Sequence, residues 1–277
     1  MAADADPTVI FLHIGKTGGT TLRKILRRHY PDSQVLVVRA VRRPREETIA
    51  EFAELPEARR AAPRLIVGHT VFGLHEHVPR PSTYITILRE PRSLVISQYA
   101  YVRRTPGHRH HDAASRMTMA EYIESGLAQE MNNSQTRALA GTVETAYGEN
   151  PPELLDMARR NVEQYFATVA LTERFDESLV ALARQFGWSK LSYVKAKVGG
   201  RREPVPPDTL ELIDRMNQLD RSLYDWAAGR LDEQIAADEG FDGRMARFRR
   251  RNMLYRPWAT VTYTVPKKIQ QRAAGAR

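Results

Sequence analysis

The stretch VIFLHIGKTGGTT, Val9 to Thr21, decides how the rest of the chain is read. A compact apolar run is the mark of a strand buried on both faces of a parallel sheet. It gives way to a lysine, a glycine pair and two threonines, and GGTTLRKILRRHY then reads as a helix with Leu22, Ile25 and Leu26 on one face. A strand, a glycine-rich turn and a helix N-terminus together form an anion cradle. The glycines let backbone N–H groups come close, and the helix end adds partial positive charge. The nucleoside-triphosphate loop, however, reads GxxxxGK followed by Ser or Thr. Here Lys16 precedes Gly18 and Gly19, and no lysine follows them.

Outward from this loop, strands and helices alternate. QVLVVR, PRLIVGH, TYITIL and FATVAL read as four further strands. Helices are expected in EETIAEFAELPEARR (interrupted at Pro56), SLVISQYAYVRR, MAEYIESG, EMNNSQTRALAG, PPELLDMARRNVEQY and ERFDESLVALARQFG. DTLELIDRMNQLDRSLYDWAAGRL reads as one long amphipathic helix. Such alternation predicts an α/β fold, a single domain whose central, mainly parallel sheet is flanked by helices. Ligands of such sheets bind beyond the carboxyl ends of the strands. The residues expected there are Lys16, His69, Arg89 and Glu173. A magnesium-binding strand should end in a carboxylate, but the third and fourth strands end in His69 and Arg89.

Composition narrows the classes. With 277 residues and 42% hydrophobic content the chain can bury a large core, and with no cysteine it has no disulfide, thiolate metal site or cysteine nucleophile. Ten of the 42 Lys and Arg lie from Arg244 onward, where there is no Asp or Glu. The net charge of +9 therefore belongs to the tail, and the body is nearly neutral. We divide the chain into a domain over residues 1–243 and a basic tail over 244–277. The tail mixes arginines with Phe248, Tyr255, Trp258 and Tyr263; it is expected either to wrap the body or to meet an anionic membrane or acceptor, and no nucleic acid is expected as partner. The start MAADADPTVI lacks the basic and apolar segments of a signal peptide, and no run approaches the ~20 apolar residues of a membrane span. A cytoplasmic protein, at most peripheral at a membrane, is the expectation.

HIGKTGGTT and LREPRSLVISQYAY together resemble the two nucleotide-binding segments of sulfotransferases that use 3′-phosphoadenosine 5′-phosphosulfate (PAPS). The similarity is to the carbohydrate type that includes heparan sulfate 2-O-sulfotransferases and bacterial relatives. It continues through GHTVFG, NNSQTRALAG, LTERFDESL and NQLDRSLYDWA, over roughly residues 8–230.

The resemblance implies a P-loop-kinase-like sulfotransferase fold with a helical C-terminal part, and PAPS as co-substrate without a metal. It implies that Lys16 attends the bridging and sulfuryl oxygens, and that the Thr17–Thr21 turn (Gly18, Gly19, Thr20 and Thr21 above all) holds the 5′-phosphate. Arg89 and Ser97 would hold the 3′-phosphate, joined by Arg201 and Arg202. His69, in a strand-end GH, would be the base that deprotonates a hydroxyl or amine acceptor. His75, Gln135 and Arg137 are candidates for acceptor contact, and GHRHH at His108 to His111 is expected as a solvated loop near the acceptor mouth. Gly15 departs from the proline common at its position. Two other readings remain: a nucleotide kinase or NTPase, and a non-catalytic nucleotide-fold protein with an anion-binding tail.

Overall fold

The computed structural model describes residues 6–38, 45–142, 145–194 and 204–259. Five strands form one sheet: β1 (Thr8–Leu12), β2 (Val35–Val38), β3 (Leu65–Gly68), β4 (Ser82–Leu88) and β5 (Phe166–Leu171). Their order is β2-β3-β1-β4-β5, and every neighbouring pair is parallel. The expected α/β architecture is thus observed, with each expected strand in place.

β1 sits in the middle because nothing in it needs water. All five of its residues are buried. Val9 and Phe11 pack with the helices α1 (Gly19–Leu26), α9 (Phe175–Phe186) and α12 (Phe241–Ala259). Ile10 and Leu12 point the other way, into a second cluster with α7 (Ser134–Ala140), α8 (Glu153–Tyr165) and α11 (Gln218–Ala236). The period of two along the strand thus divides the core between the two faces of the sheet. Chain order reverses at β1: the path goes to β2, returns to β3, then crosses to β4. Such a reversal opens a crevice at the carboxyl ends, here between β1 and β4.

α2 (Arg45–Ala53) and α3 (Glu57–Ala61) precede β3. α4 (Pro91–Arg103) leaves β4 at once, with proline at its first position and Glu90 as its cap. The Glu90 carboxylate accepts from the N–H groups of Arg92 at 3.1 Å and Ser93 at 2.7 Å. α5 (His111–Arg116) and α6 (Met119–Glu124) follow, the latter opened by a capping box between Thr118 and Glu121.

Two helical expectations are corrected. EMNNSQTRALAG is not one helix: α7 begins only at Ser134, because Asn133 has a left-handed backbone (φ 44°). The long amphipathic helix is two, α10 (Pro207–Met216) and α11, broken at Asn217. The buried Asn217 side chain explains the break. Its Nδ2 donates to the carbonyls of Met131 (3.0 Å) and Ile213 (2.9 Å), and its Oδ1 accepts from the N–H of Asn133 (2.9 Å). Side chains that hydrogen-bond nearby backbone compete with the helix ladder.

The expected division at residue 243 falls inside α12, and Phe241, Met245 and Phe248 are buried in the core. Spacing of four and three residues puts them on one helical stripe. The first part of the basic tail therefore wraps the body, leaving Arg247, Arg249, Arg250 and Arg251 exposed. Tyr263 and the side chain of Trp258 lie outside the described residues. No described helix is long and apolar enough to cross a membrane.

Candidate active site

The loop after β1 is built by four local constraints. Thr17 is fully buried and its hydroxyl donates to the carbonyl of Ile14 at 2.9 Å, closing the turn. Lys16 has φ 65°, an uncommon value for a residue with a side chain. Gly18 follows at φ 88° and caps α1. Gly19 is needed for a different reason. A Cβ there would lie 2.2 Å from Cδ2 and Nε2 of His13. The glycine pair thus combines a left-handed turn with a close approach. Thr20 is half-buried and Gly18 exposed, so the mouth of the loop faces solvent at the helix N-terminus. The Thr17 hydroxyl is already used inside the turn, so only its backbone can serve an anion.

Arg89 meets this loop directly. Its Nη1 donates to the carbonyl of Lys16 at 2.9 Å, and its Nε lies 3.9 Å from Oε1 of Glu173. Its backbone is held by Gln135: Oε1 accepts from the Arg89 N–H at 2.8 Å, and Nε2 donates to its carbonyl at 2.9 Å. Glu173 also accepts from the Tyr224 hydroxyl at 2.9 Å. Thr172 ties the neighbouring strand to the loop, its hydroxyl lying 2.6 Å from the carbonyl of Thr17. Glu90, the other acid beside Arg89, is committed to the α4 cap and to Arg221. Burial pushes its carboxyl upward, but the N–H groups of Ser93 and Arg92 and the Arg221 guanidinium outweigh that and hold it below its ordinary value.

Ser97 lies on α4, half-buried, one turn beyond Ser93 and one before Tyr101, on one helical face. Lys16 Nζ sits over the Tyr101 ring, 4.3 Å from its centroid. The His108 ring packs edge-on to the same tyrosine at 5.8 Å, and His110 lies 5.9 Å beyond. Burial lowers the pKa of both imidazoles. Arg109 approaches Glu130 at 3.9 Å, and Glu130 lines a small cavity with Gly15, Gln98 and Ser134. The GHRHH loop therefore stands near Lys16 by way of Tyr101, with His108, His110 and His111 half-buried. No metal-binding group of three His, Asp or Glu occurs among the described residues.

His69 lies immediately after β3 and is exposed. Its ring stacks on that of His13 with centroids 4.1 Å apart, and His13 in turn stacks on Phe11 at 5.2 Å. The N–H of His13 donates to the carbonyl of Gly68 at 2.8 Å, joining the ends of β1 and β3. His13 was not singled out from sequence. Its alternation with Phe11 was the available signal, since residues two apart on a strand share a face.

The structure thus gathers Lys16, Thr17, Gly18, Gly19, Thr20, Thr21, His69, Arg89 and Ser97 around the carboxyl ends of β1, β3 and β4. Three expected acceptor residues are instead engaged by protein groups. His75 packs against Tyr84 (5.5 Å) near the start of β4 and Tyr165 (4.3 Å) just before β5, at the opposite end of the sheet. Gln135 is fully buried on Arg89. Arg137, 3% exposed, donates to the carbonyls of Asn132, Thr145, Ala146 and Glu149 and fastens the segment after α7. Each is occupied by protein groups because a buried donor without a partner is costly. Arg201 and Arg202 lie outside the described residues.

Comparisons with known proteins give the family. The galactose-3-O-sulfotransferase family matches residues 2–256. Mouse galactose-3-O-sulfotransferase 3 is 30% identical over 239 residues, covering 78% of this chain and 54% of the relative. Human heparan-sulfate 6-O-sulfotransferase 1 is 27% identical over 278 residues, covering 80% of this chain and 65% of the relative. The chain thus spans about half the length of the galactose enzymes it matches. Among solved structures, a sulfotransferase from Alicyclobacillus acidocaldarius aligns at a TM-score of 0.44 and 14% identity, covering 81% of this chain and 96% of that one. Mouse sulfotransferase SULT7A1 complexed with PAP aligns at 0.40 and 15%, covering 79% and 66%. With the family matched from one end of the sheet domain to the other, this chain belongs to the galactose-3-O-sulfotransferase family.

Proposed function

We propose that this chain moves a sulfuryl group from PAPS to a hydroxyl of a carbohydrate, glycolipid or other small acceptor. The observation that carries the reading is the bond from the Arg89 guanidinium to the Lys16 carbonyl. It supports a single nucleotide site in which the loop takes the 5′-phosphosulfate and the strand-end arginine takes the 3′-phosphate. The pieces fit a nucleotide that is anionic at two ends. Gly18 and Gly19 open the backbone at a helix N-terminus, and Arg89 has a planar fork suited to a terminal phosphate.

The roles follow from chemistry. A sulfuryl group carries less negative charge than a terminal phosphoryl, so a nucleophile meets less repulsion, and an ammonium with backbone N–H groups can serve the leaving oxygen. His69 is assigned the acceptor proton, as an exposed imidazole at the carboxyl end of β3. As the acceptor oxygen bonds to sulfur, the bond from sulfur to the bridging phosphate oxygen breaks. The charge then appears on the 5′-phosphate, where Lys16 and the α1 N-terminus meet it. To do so Lys16 leaves the Tyr101 ring.

Calorimetry tests this reading. Adenosine 3′,5′-bisphosphate should bind without magnesium and far more tightly than ATP. Magnesium-dependent ATP binding would favour the kinase reading. Nucleotide binding with unchanged affinity in Lys16→Ala, and no sulfuryl transfer from PAPS to any sugar acceptor, would favour the non-catalytic one.

The exposed arginines of α12, beside exposed Met253 and Leu254, are assigned to an anionic surface, a membrane or an acidic acceptor. A cytoplasmic location, with peripheral contact at most, belongs to the same proposal.

A further inference from the structure

We propose that Gln135 is a positioning residue that sets the strand-end arginine for the nucleotide's 3′-phosphate, with Asp220 as its anchor. The inference rests on the Arg89 assignment above. Gln135 mimics a strand. Its amide accepts from the Arg89 N–H and donates to the Arg89 carbonyl at 2.8 and 2.9 Å, so both backbone polar groups of one residue are fixed just past the end of β4. A paired backbone N–H and C=O leave the residue little freedom in φ and ψ. The guanidinium is then aimed from a fixed root toward the Lys16 carbonyl.

Gln135 is held from behind. The Asp220 carboxylate, 1% exposed, accepts from the N–H groups of Gln135 (3.2 Å) and Thr136 (2.7 Å) and from the Thr136 hydroxyl (2.8 Å). The Asp220 N–H donates to Oδ1 of Asn133 at 3.0 Å, and the Asn133 N–H donates to Asn217. The left-handed turn at Asn133 and the helix break at Asn217 are the two irregularities that bring these groups together. Burial raises the pKa of Asp220 in spite of these donors. A buried carboxylate placed on the first N–H groups of a helix fixes that helix end. The chain of contact thus runs from α11 through α7 to the root of Arg89.

The test separates positioning from mere stability. Affinities for adenosine 3′,5′-bisphosphate and adenosine 5′-phosphate are measured for the wild type and for Gln135→Leu, with thermal melts confirming that both fold. The wild type should prefer the bisphosphate. Gln135→Leu should lose about tenfold of that preference, with its affinity for the monophosphate within about twofold of wild type, since ~1.4 kcal/mol corresponds to one decade. Parallel loss for both nucleotides would reduce Gln135 to a structural role and overturn the inference. An undiminished preference in a folded Gln135→Leu would overturn it while leaving the Arg89 assignment intact. A wild type with no preference would overturn both. Should Gln135→Leu fail to fold, Gln135→Glu is read by the same two criteria. It keeps the acceptor for the Arg89 N–H and loses the donor to its carbonyl when ionised.

Discussion

Arg89 and the arginines of α12 carry the same charge in opposite settings. Arg89 is 15% exposed in its side chain, rooted by Gln135, bonded to the loop carbonyl and balanced by Glu173. Arg247, Arg249, Arg250 and Arg251 stand exposed on the solvent side of a helix whose other stripe is buried. Four of the ten basic residues of the tail are in the second setting, and most of the expected chemistry is in the first. A surface charge acts through an averaged field that salt screens within about 10 Å, whereas a fixed guanidinium acts at one atom. The difference teaches that the net charge of this chain describes its surface and its tail, and says little about its nucleotide site.

The comparison can be broken most severely at the fixed end. Lys16→Ala and His69→Ala should each lower sulfuryl transfer by about 10²- to 10⁴-fold, the range for losing an oxyanion partner or a general base. Transfer of labelled sulfuryl from PAPS measures this, and near-full activity in His69→Ala would remove it as the base. Arg89→Lys should weaken binding of adenosine 3′,5′-bisphosphate by about tenfold or more, because an ammonium keeps the charge and loses the fork. Calorimetry reads it, and unchanged affinity would show that charge alone suffices.

Smaller effects sharpen the picture of the loop itself. Gly19→Ala should cost about 1–3 kcal/mol of stability, because its Cβ would collide with His13 at 2.2 Å. In a Gly19→Ala, His13→Ala double variant the melting temperature should recover part of that loss. Gly15→Ala should stay within about 0.5 kcal/mol, since a Cβ there meets nothing within 4 Å. A severe defect at Gly15 would mean that the loop needs more freedom than its geometry indicates.

The smallest effect on turnover belongs to the exposed arginines. Replacing Arg249, Arg250 and Arg251 together by Gln should change kcat/KM for a small soluble acceptor by less than about twofold, with the protein's retention on anionic vesicles reduced and no longer salt-sensitive. Equal retention of variant and wild type would remove the membrane assignment, and a large loss of turnover would place α12 at the site.

Much of this molecule was legible in its sequence. The five strands were, because each is a short apolar run bounded by turns. The loop after β1 stood out as well, because glycines and a lysine between a strand and a helix suit an anion. Asn217, Asn133, Asp220 and Gln135 were not legible in their roles. Asp220 gave one local sign: it lies on the buried stripe with Leu223, Ala227 and Leu231, where a carboxylate is out of place. Gln135 and Arg137 are candidates for acceptor contact in the sequence, and the fold buries both.

By itself the sequence determined the parallel sheet and the family, because those depend on residues close together along the chain. Only the tertiary structure decided which polar side chains are taken up by the protein's own hydrogen bonds. That depends on partners 46 residues away for Gln135 and Arg89, and 84 or 85 residues away for Asp220 and the start of α7. A polar group goes inside wherever folding supplies its hydrogen bonds, and no local pattern records that supply.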